Sequence, residues 1–420
     1  MSADLQSYER DIDLPRELGD PDLALPHGDE LVELVRDHLL RPDRDRAEIL
    51  DAEIQHVRYK PGVAVTATYQ VQVQGSGPAS VVYKCHRGNK PKRGSTRYAS
   101  QPGDLLRSHV NVPGSSIQLA SWPHDRVLRG LHRALEKKRT CRWMDEVAGY
   151  APLVMRLRAS ILEPLRYKPE RRAVLHVQAK LRGEGEHREV RRFALRVVPP
   201  IDASRIQRSR REVQQADPSL PVPALLAADT RVGLLLEPWL DGVPSERTDF
   251  TQGPTMGWLL SRLHRIEPGA SPLIQPASPG LDCLGFSEEW LRVARKLTLQ
   301  ESLRPTAWTH GDVHPDQILM GQGPVLMDLD SLAPGCPEMD LASWIADRLA
   351  CRPSESLAQA SESILQNYDA HGVDREFLKR CVAHGLVARA SARIRRLQAG
   401  AIPGAVRLME RAQAVMQEAF

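Results

Sequence analysis

Hydrophobic and polar positions change their rhythm several times along this chain. Near the start, Leu31, Leu34, Val35 and Leu39 recur at helical spacing, which predicts a helix over roughly 28–50. The segment Val57-Arg58-Tyr59-Lys60-Pro61-Gly62 then leads into residues 64–73, where apolar and β-branched residues alternate with polar ones as in a strand. Gly75-Ser76-Gly77-Pro78 reads as a turn and Val81-Val82-Tyr83-Lys84 as a second strand.

The same order then returns. Arg166-Tyr167-Lys168-Pro169 is followed by an alternating stretch over 173–181, a turn carrying Gly183 and Gly185, and Phe193-Ala194-Leu195-Arg196-Val197-Val198. Aligning the copies sets Lys84 opposite Arg196, and the strand, turn and strand behind each motif argue for a structural repeat. Between the copies, residues 122–150 hold a helical stretch with a basic face (Arg129, Arg133, Lys137, Lys138, Arg139), read as solvated.

After the second copy, an amphipathic helix over 201–216 is ended by Pro218, Pro221 and Pro223, and residues 224–236 read as two short strands. Glu237-Pro238-Trp239-Leu240-Asp241-Gly242 makes a polar connection. Helical patterns follow at 256–266, 288–297, 341–349, 355–369, 375–397 and 406–418. Strands first and helices afterwards describe an α+β protein of two lobes. The expected division is an accessory module over 1–145, a small β-rich lobe over 146–240 and a large helical lobe over 241–420.

Composition narrows the class. Hydrophobic residues make up 41% and charged residues 26%, ordinary for a globular chain, and the formal net charge is only +4. Aromatic content of 5% is too sparse for a base-stacking platform, so no nucleic-acid partner is expected. The first residues mix Asp4, Glu9, Arg10 and Asp11 with few apolar ones, unlike a secretory signal, and no stretch is apolar enough to span a membrane. The six cysteines are scattered without a CxxC pair, which points to reduced thiols and a cytoplasmic location.

The segment richest in chemistry is Thr309-His310-Gly311-Asp312-Val313-His314-Pro315-Asp316-Gln317, with Val325-Leu326-Met327-Asp328-Leu329-Asp330 behind it. Phosphoryl transfer needs a carboxylate near the acceptor hydroxyl, oxygen ligands for Mg²⁺, and cations or backbone amides for the phosphates. Asp312 supplies the first part; Gln317 and Asp328 supply the second. An isolated His-Gly-Asp would read as a capping loop, but the strand that follows and Glu338-Met339-Asp340-Leu341-Ala342 favour chemistry.

This pattern resembles the aminoglycoside phosphotransferase family, whose catalytic loop reads HGDxHxxN and is followed by an aspartate-bearing strand and a DLA segment. Ser261-Arg262-Leu263-His264 is similar to that family's helix ending in Leu-His, and Leu235 to Gly242 to its interlobe hinge. The resemblance covers roughly 160–400. It implies a bilobal protein-kinase-like fold, preceded here by an N-terminal α/β module resembling a degenerate small lobe. It further implies ATP or GTP with Mg²⁺, Asp312 as the base, Asp328 on the metal, and Asp340 tying the loop to the helical lobe. Glu212 would pair with the phosphate-binding cation, and Glu237 and Trp239 would lie at the nucleotide hinge.

Two positions depart from the family. Gln317 stands where it has Asn, which lengthens a metal ligand by one methylene. Arg196 stands where it has Lys in the third strand of the small lobe, exchanging an ammonium for a wide planar fork. Lys168 or Arg172 would then supply the ammonium-like contact to phosphate. No GxGxxG loop exists; the Gly183/Gly185 turn reads as a plain hairpin. Arg389, Arg393 and Arg396 share a helix face, and if that face meets the cleft it favours a neutral or acidic acceptor over a polycation. The expected function is transfer of a γ-phosphoryl group to a hydroxyl of a small molecule. The alternatives are a Ser/Thr kinase acting on a precursor peptide with a partner protein, and a pseudokinase that binds nucleotide or a partner without transfer.

Overall fold

The structure, a computed structural model, describes residues 20, 22–41, 48–74, 77–88, 105–149, 151, 153–184, 188–269, 273, 275, 280–281, 287–369, 372–397 and 400–420. It opens with a helix α1 (Gly28–Leu34) extended by a π-turn (Val35–Leu39). The helix expected to about residue 50 stops there: Leu40 is already extended (φ −62°, ψ 140°), residues 42–47 lie outside the described residues, and Ile49 begins a strand. The chain then builds a five-stranded antiparallel sheet from β1 (Ile49–Lys60), β2 (Ala64–Val73), β3 (Gly77–His86), β4 (His109–Asn111) and β5 (Ile117–Ser121), in the order β1-β2-β3-β5-β4.

Two short helices, α2 (Leu131–Leu135) and α3 (Lys137–Val147), lead into a second sheet. Its strands are β6 (Val154–Met155), β7 (Ile161–Lys168), β8 (Arg172–Arg182), β9 (Arg188–Val197), β10 (Ala227–Asp229) and β11 (Leu234–Pro238), with helix α4 (Pro200–Ala216) between β9 and β10. The order is β10-β11-β9-β8-β6, with β7 also pairing β8. Along β8, Ala173, Leu175, Val177, Ala179 and Leu181 are buried and the residues between them are not, the period of two that the sequence displayed.

The repeat is visible in the register. Lys84 faces Thr66 across β2 and β3, and Arg196 faces Val174 across β8 and β9, so the aligned cations occupy equivalent places. The break expected at residue 145 cuts a core. Leu128, Leu131, Trp143 and Met144 pack with Leu175, Val177, Leu195 and Leu234, so α2 and α3 cover the second sheet. The basic face there is not wholly solvated, since Arg133 binds Asp229 of β10 at 2.7 Å.

The helical lobe contains α5 (Gly253–His264), α6 (Glu288–Leu297), α7 (Pro337–Cys351), α8 (Leu357–Leu365), α9 (Arg375–Arg395) and α10 (Ala401–Gln417). Helices α5 and α8 touch closely at Gly257, where a Cβ would sit 2.1 Å from the Ile364 carbonyl oxygen. Short strands carry the polar segments of this lobe: β12 (Val243–Pro244), β14 (Ile318–Met320) and β15 (Pro324–Leu326) form one sheet, and β13 (Ala307–Thr309) pairs with β16 (Ala333–Gly335) in another. The bilobal α+β organisation expected from the sequence is the one observed. The first sheet rests on the helical lobe through β1 and α9, with one continuous apolar cluster running between them. Among the described residues no helix is long and apolar enough to cross a membrane.

Candidate active site

The loop between β13 and β14 is fastened from below. Asp340, in the first turn of α7, is buried and accepts hydrogen bonds from the backbone N–H of His310 (2.6 Å) and of Gly311 (2.8 Å). It also meets His264 Nε2 of α5 at 3.0 Å. Burial alone would raise this carboxyl; the His264 hydrogen bond, His310 and the Gly311 N–H outweigh it and hold it below the usual range. His310 Nε2 donates to the Met327 carbonyl at 2.8 Å, and its Nδ1 accepts from the Asp312 N–H at 3.3 Å. Gly311 adopts φ +80°, and a Cβ there would sit 2.9 Å from the Ser331 carbonyl oxygen, so this turn needs glycine.

The loop thereby presents Asp312 outward. Its side chain is 62% exposed, with His314 Nε2 at 3.8 Å. A carboxylate held by its backbone but free at its oxygens can accept a proton from a hydroxyl brought beside it.

Asp328 follows β15 in a left-handed conformation (φ 54°, ψ 53°), the kind of backbone strain that persists where surrounding structure imposes it. One guanidinium nitrogen of Arg172 lies 2.8 Å from both oxygens of Asp328 and 3.0 Å from Asp330. Arg196 bonds Asp330 and lies 4.0 Å from Asp328. Burial would raise the Asp328 carboxyl, but Arg172 and Arg196 overcome it and bring it to about 2. Gln317 is buried, and its backbone carbonyl accepts the Met327 N–H at 2.8 Å, one residue before Asp328. Its side-chain nitrogen meets His314 Nε2 at 2.8 Å, which leaves the amide oxygen for another partner.

These donors fit a divalent cation. Two carboxylates already converge on one positive charge, with Arg172 standing in for it, and the Gln317 backbone is bonded to the residue before Asp328. Such an all-oxygen set suits Mg²⁺ completed by nucleotide phosphates. Among the described residues no three His, Cys, Asp or Glu side chains gather as a self-sufficient metal site.

Arg196 is almost fully buried and finds carboxylates other than the one expected. Helix α4 buries Ala203, Ile206, Arg210 and Val213, positions three or four apart, so Glu212 falls on the outer face and is exposed. The inward position expected to carry an acid carries Arg210. The acid comes instead from β11: Glu237 Oε1 lies 3.2 Å from Arg196 and 3.2 Å from Arg210. Glu237, expected at the nucleotide hinge, is therefore a buried link between two arginines. Trp239, also expected there, gives its N–H to the Arg192 carbonyl at 2.9 Å and packs against His176, with ring centroids 4.6 Å apart.

Lys168 ends β7, half-buried near the same centre. Burial and the neighbouring Arg166, Arg172 and Arg171 lower its ammonium to about 8. The turn that approaches Asp328 is Pro169-Glu170-Arg171, because Arg172 begins β8; Gly183 lies past the far end of that strand, and Gly185 lies outside the described residues. Glu170 has φ +58° and is gripped from the N-terminal module. Lys84 reaches its two oxygens at 2.9 and 2.7 Å, Arg126 one of them at 2.9 Å, and Asp125 accepts from its N–H at 2.7 Å.

The arginine face of α9 divides. Arg389 bonds Asp347 at 2.5 Å and the Ser343 carbonyl at 2.5 Å, a structural duty. Arg395 and Arg396, at the end of the helix, face the N-terminal module, where they reach Arg58 and His56 electrostatically. Sequence reasoning missed Asp330, Arg210 and Glu170. Asp330 was signalled by the Asp-Leu-Asp spacing, and Arg210 by its place in the buried 3–4 rhythm of α4; Glu170 had no local signal.

Residues 177–375 match the family model described as "Phosphotransferase enzyme family". Among curated proteins none matches the chain. Among solved structures it is similar to a choline kinase from Cryptosporidium parvum (9% identity, 67% of this chain and 96% of that one, TM-score 0.46). It is also similar to a putative fructosamine-3-kinase from Thermobifida fusca (15% identity, 66% and 98%, TM-score 0.42). A macrolide 2'-phosphotransferase from Brachybacterium faecium is 16% identical, with 66% and 99% covered and a TM-score of 0.38.

Proposed function

We propose, from the match of residues 177–375 to the phosphotransferase enzyme family model, that this chain transfers the γ-phosphoryl group of ATP or GTP to a hydroxyl of a small molecule. One observation carries the reading. A free carboxylate, Asp312, stands on a loop pinned by Asp340 and His310, and His310 links that loop directly to the residue before Asp328. Asp312 orients the acceptor hydroxyl and takes up its proton as the oxygen–phosphorus bond forms. Asp328, Asp330 and the Gln317 amide would hold Mg²⁺, which when bound neutralises charge on the transferring phosphate. Arg196, kept in place by Glu237, and Lys168 contribute cations toward the phosphates. Arg172 must leave Asp328 for a metal ion to take its place, so its side chain moves as the site fills.

A second reading, nucleotide or partner binding without transfer, is favoured by one feature: Arg172 and Arg196 already neutralise Asp328 and Asp330. One experiment separates the two. Nucleotide binding is measured by calorimetry with Mg²⁺, and ADP release is followed across a panel of alcohols for wild type and Asp312→Asn. Transfer predicts turnover that falls about 10²–10⁴-fold in the variant while nucleotide affinity stays within a few-fold. Binding with no turnover on any acceptor supports the second reading, and equal turnover in both proteins overturns the assignment of Asp312.

A further inference from the structure

A group of basic side chains from three separate elements meets beside the transfer centre, and of these the proposed reaction uses only Lys168. Strand β1 buries Val57 and Tyr59 in its own module, so His56 and Arg58 point from the other side of the strand. Strand β1 packs against α9, and Arg395 lies at the end of that helix. The charged groups that reach Arg58 are Arg171, Glu170 and Arg395; those that reach His56 are Lys168, Arg171, Arg396 and Arg166. Arg166 and Lys168 also feel Asp328, so the basic group is continuous with the phosphoryl-transfer centre.

The carboxylates nearby are already committed. Glu170 is held by Lys84 and Arg126, and Asp328 by Arg172. Among the described residues, Arg58, Arg166, Lys168, Arg171, Arg395 and Arg396 have no carboxylate partner. Arg58, Lys168 and Arg395 are half-buried and Arg166, Arg171 and Arg396 are exposed; cations gathered where the nearest carboxylates are engaged by other partners repel one another, and a ligand of opposite sign relieves that repulsion. Burial first, and after it the neighbouring cations, lower the Lys168 ammonium to about 8 and the His56 imidazole to about 4, in the direction this crowding requires.

We infer that the acceptor is an anionic alcohol, bearing phosphate or carboxylate, whose negative end is bound by Arg58 of the N-terminal module, Arg171 of the turn and Arg395 of α9. The inference rests on the proposed transfer reaction and names the substrate class of that same site. The accessory module then takes part in acceptor binding, because β1 completes that side of the cleft with charges that the two lobes alone do not supply. A polycationic acceptor is excluded by the same field.

The probe is glycerol 3-phosphate, a hydroxyl compound with a dianionic end, compared with glycerol. Calorimetry on the full chain is run with the site saturated by Mg²⁺ and a non-hydrolysable ATP analogue, so that the nucleotide occupies its own phosphate subsites. The inference expects glycerol 3-phosphate to bind at least ten-fold more tightly than glycerol. It expects Arg58→Glu and Arg395→Ala each to weaken that binding at least ten-fold, with nucleotide affinity unchanged. Arg58→Lys should retain binding within a few-fold. Arg58→Glu should also raise the melting temperature, because it relieves repulsion, which a merely structural arginine would not do. No preference for the anion, or unchanged affinity in Arg58→Glu and Arg395→Ala, overturns the site. Binding that disappears when the nucleotide analogue is present assigns the anion to the nucleotide's own subsite and also overturns it. If the chain binds no nucleotide, the transfer reading falls by itself, and an Arg58-dependent titration of the free protein would still establish the anion site.

Discussion

Replacing Glu237 by glutamine removes the charge that two buried arginines share, and the structure sets what this should cost. Side-chain exposure is 8% for Arg196, 8% for Glu237 and 1% for Arg210, so water cannot take over the lost contact. Breaking a buried ion pair from one side typically costs about 3–5 kcal/mol, because the remaining charge is left desolvated. Here Arg196 keeps Asp330 and Arg210 keeps the Pro223 carbonyl, which places the expected loss near the lower end, about 3 kcal/mol. The reverse change is milder. Arg210→Met leaves Glu237 paired with Arg196 and supplies an apolar chain of similar length, so about 1 kcal/mol is expected. Urea unfolding followed by tryptophan fluorescence measures both. An Arg210→Met loss equal to or larger than that of Glu237→Gln would refute the view of Glu237 as the shared counter-charge.

Two further outcomes follow from the same geometry. Lys84 is 14% exposed and Glu170 25%, so their pair is partly shielded; a double-mutant cycle of Lys84→Ala and Glu170→Gln should give a coupling of about 1 kcal/mol, and simple additivity would show that the module does not hold the turn. Stability should fall as pH drops from 7 to 5. Burial and then Arg247 lower His314 to about 3, and burial and then His124 lower His132 to about 4. Both imidazoles therefore stay neutral in the fold while the unfolded chain takes up protons below about 6.5. Their contribution is complete above that value and is lost as pH falls toward the folded values. For His314, 7% exposed, the slope is at most about 1.4 kcal/mol per pH unit. A urea midpoint that is flat between pH 7 and 5 would contradict the burial of these rings as neutral groups.

The latch at Glu170 bears on how the two sheets work together. Lys84 and Arg196 hold equivalent positions in the repeat, yet they serve different ends. Arg196 bonds Asp330 of the candidate active site, whereas Lys84 reaches out of its sheet to grip the turn of the other copy. The first sheet is thus joined to the second through the turn that precedes Arg172. A change in the N-terminal module can then alter the phosphate side of the cleft without touching it.

The candidate segment over 309–330 was legible because its determinants are local. A glycine at a left-handed turn, an aspartate one residue later and an aspartate-bearing strand behind them lie close together in the chain, and their backbone geometry follows from residue type. The alternation along β8 and the helix α4 were equally plain, since periods of two and 3.6 depend on near neighbours alone. What the sequence could not decide was which charges would meet across the fold. Glu212 read as the partner of Arg196 because it stood on the right helix, but one position along a helix turns a side chain by about 100°, and packing gave the inward place to Arg210. Glu237 then had to face two arginines, since it is the buried carboxylate on the neighbouring strand. The break at residue 145 failed similarly: α2 and α3 follow the first repeat in the chain, but their apolar sides fit the open face of the second sheet. Residue types and short spacings determined the elements and the 309–317 loop. Long-range packing, which desolvates some charges and leaves others exposed, decided which of them act together.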